Sequence, residues 1–274
     1  LGLGGFAAGP VVREAARRGV PAGLLNPDAV PGIANRFLAG KVDVIFTQFE
    51  PTAERFPDRL RGRIRCVGCP LRHGFGLAAK DEALEHFGLR PGRKTLLVFG
   101  GSLVAESLVR ATVALAGRLA PLADAWQLLV VARDQSASDM RHAYESTGVN
   151  VVTLSYCDRM DLAYEAADLA LTRCGAGTAA ELAVSATPAV IFPYPYHRDQ
   201  QQKLNAAELE NAGAAVVLDD AVDAAVNADA LERAMLPIMR DPARLGAMRQ
   251  AAEHCARPHA AREVARWLHK PDTG

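Results

Sequence analysis

Leu169-Ala-Leu-Thr-Arg-Cys-Gly-Ala-Gly-Thr-Ala-Ala-Glu181 joins a short apolar run to a turn of small residues and then to the opening of a helix. A second stretch has the same build: Ala189–Phe192 leads through Pro193-Tyr-Pro-Tyr-His-Arg-Asp-Gln-Gln-Gln-Lys-Leu-Asn205 into another helix. Strand, tight turn and helix form the repeating unit of a parallel α/β sheet, whose strands are covered on both faces and read as unbroken apolar runs. A small-residue turn at a helix N-terminus leaves backbone N–H groups unsatisfied, which suits a phosphate. A carboxylate one turn further on, such as Glu181, can take a ribose hydroxyl pair. Amide side chains such as Gln201 and Gln202 can read sugar hydroxyls. The combination points to a nucleotide-sugar site more than to a plain nucleotide site.

The same alternation extends over the whole chain. Strands are predicted at Ala22–Leu25, Val42–Thr47, Ile64–Val67, Thr95–Phe99, Gln127–Val131, Asn150–Leu154, Leu169–Thr172, Ala189–Phe192 and Ala215–Leu218. Helices are predicted between them, the first at about residues 9–19. Cys69-Pro-Leu-Arg-His-Gly-Phe-Gly76 breaks the pattern and marks a boundary. Residues 78–256 hold a full set of alternating elements, enough for one doubly wound domain. Residues 1–77 hold only about three strands and read as the second half of another such domain. The last segment, 257–274, is expected to pack back on the first domain. Leu1-Gly-Leu-Gly-Gly5 resembles the middle of a strand-to-helix turn, so a segment is expected to precede it.

Composition narrows the classes. Lys+Arg and Asp+Glu balance at 31 each, which gives no argument for a nucleic-acid partner. The apolar runs are too short to span a bilayer, and residues 1–10 lack the features of a secretory signal. Five cysteines without framework spacing suit a reduced, cytoplasmic chain. Cys66-Val-Gly-Cys69 has redox spacing, but it straddles a strand end, precedes Pro70 and has no second pair for zinc. The histidines show no metal-ligand spacing, and no metal is expected in the site. The arginines at 55, 59, 61, 63, 65 and 72 form a basic stretch: a solvated face by default, an anionic lipid or pyrophosphate surface at its sharpest.

Each local signal has a bland counterpart. Gly100-Gly101-Ser102 after Thr95–Phe99 would let a backbone approach a phosphate, yet it is also an ordinary turn with a serine cap. Thr178-Ala-Ala-Glu181 has the spacing of a capping box, which would engage Glu181 with backbone instead of ligand. Asp199 and the three glutamines after it could simply be a solvated helix start. All three turns follow strands of one domain, where open α/β sheets bind ligands, and this agreement favours a site.

These residues resemble a family, the MurG-type glycosyltransferases. Gly4-Gly-Phe-Ala-Ala-Gly-Pro10, Ala29-Val-Pro-Gly-Ile-Ala-Asn-Arg36, Gly100-Gly-Ser102, Arg173-Cys-Gly-Ala-Gly-Thr-Ala-Ala-Glu181 and His197-Arg-Asp-Gln-Gln-Gln-Lys-Leu-Asn205 each match one of its motifs. The resemblance implies a GT-B fold of two Rossmann-like domains, the N-terminal one incomplete here. It also implies inverting transfer of N-acetylglucosamine from its UDP donor to a lipid-linked muramyl-pentapeptide in peptidoglycan synthesis. The setting would be the inner face of the plasma membrane, with no cofactor and no metal. On the donor side it implies Arg72, Gly100, Gly101, Ser102, Cys157, Arg173, Gly175, Ala176, Gly177, Thr178, Glu181, Gln201 and Gln202. Of these, Ser102 would meet the diphosphate, Glu181 the ribose, the Cys157 backbone the uracil, and Gln201 and Gln202 the sugar. On the acceptor side it implies Gly4, Gly5 and Asp28.

The chain departs from the family on that acceptor side. Leu25-Asn-Pro-Asp28 stands where the family has His-Glu-Gln-Asn, and Cys69 replaces an Asn. The loop bearing the family's candidate base would lie upstream of Leu1. The 274 residues alone are therefore expected to bind UDP-sugar weakly and turn over poorly. A related transferase with another acceptor, or a non-catalytic nucleotide-sugar binder, remains open. So does the oligomeric state.

Overall fold

The computed structural model describes residues 1–100, 106–196 and 199–269. The chain forms two compact units. One comprises Leu1–Leu71, the short segment Gly175–Ala180 and the residues from Arg257 on; the other comprises Arg72–Cys174 and Glu181–Ala256.

The first unit is built on a parallel three-stranded sheet in the order β1 (Gly23–Asn26), β2 (Val44–Thr47), β3 (Ile64–Cys66). Gly2 adds an isolated parallel bridge to Leu24, its N–H donating to the Gly23 carbonyl at 2.8 Å. Alternate residues of the strands point to opposite faces. Leu24 and Ile45 join Val12, Leu38, Phe56 and Leu60 on one face. Leu25, Val44 and Phe46 meet Val264 and Trp267 of the helix Ala260–His269 on the other. Trp267 stands edge-on to Phe46, with ring centroids 6.0 Å apart. Both faces are thus covered, which is why β1 and β2 carry no polar alternation.

The second unit holds a parallel six-stranded sheet. Its strands are β4 (Lys94–Phe99), β5 (Trp126–Val131), β6 (Asn150–Leu154), β7 (Leu169–Thr172), β8 (Ala189–Ile191) and β9 (Ala215–Val217). The spatial order is β6-β5-β4-β7-β8-β9. Strand order therefore reverses between β4 and β7, which pair from Leu96↔Leu169 to Phe99↔Thr172. The carboxyl ends of those two strands flank the crevice where doubly wound sheets bind ligands.

All nine strands lie where the apolar runs place them, with ends differing by a residue or two. The first helix, Gly5–Arg17, starts earlier than predicted and carries Pro10 inside it. The basic stretch contains two 3-10 segments, Glu50–Arg55 and Asp58–Arg63, that bury Thr52 and Leu60. Among the described residues no helix is long and apolar enough to cross a membrane.

Candidate functional site

Gly100 follows β4 directly, and Gly101 and Ser102 lie outside the described residues. Across the strand reversal, β7 ends at Thr172, and the helix Ala176–Val184 begins after the Arg173-Cys-Gly175 turn. The Gly175 carbonyl accepts from the Ala179 N–H at 3.0 Å, so the N–H groups of Ala176, Gly177 and Thr178 belong to the unsatisfied first turn. Among the described residues, a Cβ added at Gly175 or Gly177 would meet nothing within 4 Å. Packing of the described residues therefore does not demand glycine at either position.

Thr178 sits inside the helix Ala176–Val184 and not at its cap, so it forms no capping box with Glu181. Instead Glu181 Oε2 accepts from the Tyr164 hydroxyl at 3.0 Å. Burial raises the Glu181 pKa, while the Tyr164 hydrogen bond and the charge of Arg72 oppose that rise. Arg72 itself is exposed. Its charge reaches Cys157 as well, so Arg72, Cys157 and Glu181 share one neighbourhood despite their separation in sequence. Cys157 is buried and its thiol is pushed up to about 11. That leaves its backbone, not its sulfur, for any ligand contact.

Arg173 takes a different part. Its Nη1 donates to the Phe192 and Pro193 carbonyls at 2.9 and 2.8 Å, and its Nη2 to Ser107 Oγ and Asp220 Oδ2 at 2.9 and 2.7 Å. The guanidinium lies 5.7 Å from the Tyr194 ring centroid. Both terminal nitrogens are committed to protein, so Arg173 fastens together the segments that follow β7, β8 and β9. Asp220 is the other half of that fastening. Its Oδ1 accepts from Asn227 Nδ2 and the Val222 N–H, at 2.7 and 2.8 Å. Burial works against its charge, yet these bonds, Ser107 and Arg173 hold its carboxyl below the usual range.

Gln201 opens the helix Gln201–Asn211, and its N–H donates to Asp199 Oδ1 at 3.2 Å. Gln202 Oε1 accepts from the Tyr194 N–H at 2.8 Å, which commits the amide oxygen and orients the amide nitrogen. Asn205 is buried and donates to the Cys174 carbonyl at 3.5 Å, tying this helix to the turn after β7.

In the first unit a cavity of ≈ 580 Å³ is lined by Gly4, Gly5, Asp28, Ile33, Asn35 and Phe37, among others. Gly4 and Gly5 have φ of +87° and +77°, conformations that favour glycine. Asn35 Nδ2 donates to Asn26 Oδ1 at 2.9 Å, while its buried Oδ1 has no partner among the described residues. Among those residues no cluster of three or more His, Cys, Asp or Glu could hold a metal. Sequence reading missed Tyr164, which passes for an ordinary core aromatic, and Asp220, whose only signal is an acidic pair just after a strand.

Residues 95–264 match the Glycosyltransferase family 28 C-terminal domain. The chain is 34% identical over 227 residues to the UDP-N-acetylglucosamine--N-acetylmuramyl-(pentapeptide) pyrophosphoryl-undecaprenol N-acetylglucosamine transferase of Halothermothrix orenii, covering 81% of this chain and 61% of that protein. It is 39% identical over 225 residues to the protein of the same name from Nocardioides sp., covering 81% and 59%. It thus spans about three fifths of the length of these relatives. The crystal structure of Acinetobacter baumannii MurG superposes with a TM-score of 0.77 at 24% identity, covering 98% of this chain and 72% of that one, which establishes the GT-B fold. With more than half its length matched by that domain, the chain belongs to glycosyltransferase family 28.

Proposed function

We propose that this chain is the donor-binding part, with a portion of the acceptor-binding part, of an inverting transferase. The enzyme would move N-acetylglucosamine from UDP-N-acetylglucosamine to a lipid-linked muramyl-pentapeptide. The observation that carries the reading is Glu181: a half-buried carboxylate in the helix after β7, held by Tyr164, near exposed Arg72, one turn beyond two glycines over which the described residues leave open space. In the reaction the acceptor hydroxyl attacks the sugar's anomeric carbon, the bond to UDP breaks, and the hydroxyl proton passes to a base. The first turn of the helix Ala176–Val184 would hold the diphosphate as negative charge builds on it. Glu181 would hold the ribose diol, and Gln201 and Gln202 the sugar hydroxyls.

Attachment to the inner membrane surface is part of the same proposal. Ile33 and Phe37 are 88% and 64% exposed on one short helix, beside exposed Leu3 and Val11. Lys41 Nζ lies 5.9 Å from the Phe37 ring centroid, and Arg36 and Arg13 are exposed nearby in sequence. An apolar tip rimmed by cations suits an anionic bilayer.

The test is calorimetric titration of UDP-N-acetylglucosamine, UDP-glucose and UDP-galactose into wild type and Glu181→Ala. Wild type is expected to bind the first most tightly. Loss of a charge-assisted pair of hydrogen bonds in the variant should weaken binding by about 2 kcal/mol, roughly 30-fold. Equal binding by the two proteins, or none by wild type, would remove the claim.

A further inference from the structure

We propose that Tyr164 is a positioning residue for the donor site, setting the orientation of Glu181 and so the preference for a ribose over a deoxyribose; this rests on the reading of Glu181 as the ribose ligand. The geometry is specific. The Tyr164 hydroxyl donates to Glu181 Oε2 at 3.0 Å, and Tyr164 is 1% exposed. Anchoring Oε2 restrains the carboxylate and leaves Oε1 as the oxygen for a ligand hydroxyl in this proposal. Burial pushes the Tyr164 phenol far above its usual range, so the hydroxyl keeps its proton and can donate it to Glu181.

The ring that carries this hydroxyl is clamped from two sides. Phe99, the last residue of β4, lies 5.6 Å away edge-on, and Phe75 lies 5.8 Å away. Phe75 belongs to the segment that enters the second unit at Arg72. Its flanking glycines hold that segment close: a Cβ on Gly74 would come within 2.7 Å of Asp161 Oδ2, and one on Gly76 within 3.0 Å of the Val184 carbonyl. Both glycines have positive φ, +119° and +72°. Glu181 is therefore supported through Tyr164 by a strand end and by the connecting segment together.

Among the described residues, the titratable groups acting on this pair are Arg72 from the connecting segment and Cys174 from the turn after β7. Removing the hydroxyl takes away a bond that stabilises the ionised carboxylate. The Glu181 pKa, already raised by burial, then rises further, and ribose binding is lost at a higher pH as pH falls.

The experiment titrates UDP and 2′-deoxy-UDP into wild type, Tyr164→Phe and Glu181→Ala between about pH 8 and about pH 5. Wild type is expected to prefer UDP. Tyr164→Phe should lower that preference by about three- to tenfold and move the acid limb of UDP binding to higher pH. Glu181→Ala should abolish the preference at every pH. If Glu181→Ala loses the preference while Tyr164→Phe keeps both the preference and the acid limb of wild type, the positioning role is wrong and the ribose reading stands. If Glu181→Ala matches wild type, both fall. Should Tyr164→Phe not fold, Phe75→Leu loosens the clamp with the hydroxyl in place, and its ratio of UDP to 2′-deoxy-UDP affinity decides the matter; an unchanged ratio overturns the proposal.

Discussion

Replacing Asp220 by Ala tests a heavily bonded polar centre of the second unit. Asp220 accepts from Arg173, Ser107, Asn227 and the Val222 N–H, each at 2.7 or 2.8 Å. The side chains of Arg173 and Asp220 are 9% and 0% exposed, so the variant strands a cation with almost no access to water. Removing one partner of a buried pair typically destabilises by about 3–5 kcal/mol, well beyond the ~0–1 kcal/mol of an exposed pair. For a chain of this length that corresponds to a fall in Tm on the order of 10 °C. The chain has two tryptophans, Trp126 in the second unit and Trp267 in the first. In a Trp267→Phe background, Trp126 fluorescence reports the second unit by itself, and its indole N–H, 3.1 Å from the Met239 carbonyl, makes it sensitive to loss of packing. The sign of the pH effect follows from the lowered carboxyl: the stabilisation is present above the usual carboxylate pKa and is lost as pH falls through the folded value. The gap between wild type and variant should stay flat from about pH 7 to about pH 5 and close below about pH 4. A Tm within about 3 °C of the parent would mean that the pair behaves like a surface salt bridge, and the argument from burial would fail.

Two further outcomes are expected. Asp223 caps the helix Ala224–Arg240 by accepting from the Ala225 and Val226 N–H groups at 3.0 and 2.9 Å, so Asp223→Ala should cost about 1 kcal/mol in a urea titration; no shift in midpoint would argue against the cap. Burial pushes the Cys157 and Cys174 thiols up to about 11 and about 12, so Ellman's reagent at neutral pH should reach neither in the native protein, and rapid modification of Cys174 would contradict the packing around β7.

Sequence alone reveals the strands and the α/β layering because parallel strands buried on both faces leave an unmistakable apolar signature. Leu96–Val98 and Leu169–Leu171, all fully buried, read as strand for the same reason that they are buried. The helix start at Gly5 escapes notice because Pro10 argues for a boundary, and the 3-10 segments escape because their apolar positions, such as Phe56 and Leu60, follow neither helix nor strand spacing. The site is legible in residue type but not in role. Thr178 and Glu181 have cap spacing, and only the helix start at Ala176 separates the cap from the ligand reading. Arg173 carries a charge suited to phosphate, but the carbonyls and the carboxylate that claim it come from two other segments, those after β8 and β9. Partners so distant along the chain leave no local pattern.

The six-stranded sheet has one seam that sequence order does not stitch. β4, β5 and β6 pair as consecutive strands, as do β7, β8 and β9; only β4 with β7 joins the two halves. Closing that seam means bringing together ends of a long stretch of chain before any pairing rewards it, so each half can gather itself locally while their union comes late. The proposed donor crevice opens on this same line. A nucleotide-sugar lying across the ends of β4 and β7 would then act as a clasp between the two halves, and its occupancy would be felt in how long the sheet stays whole as well as in chemistry.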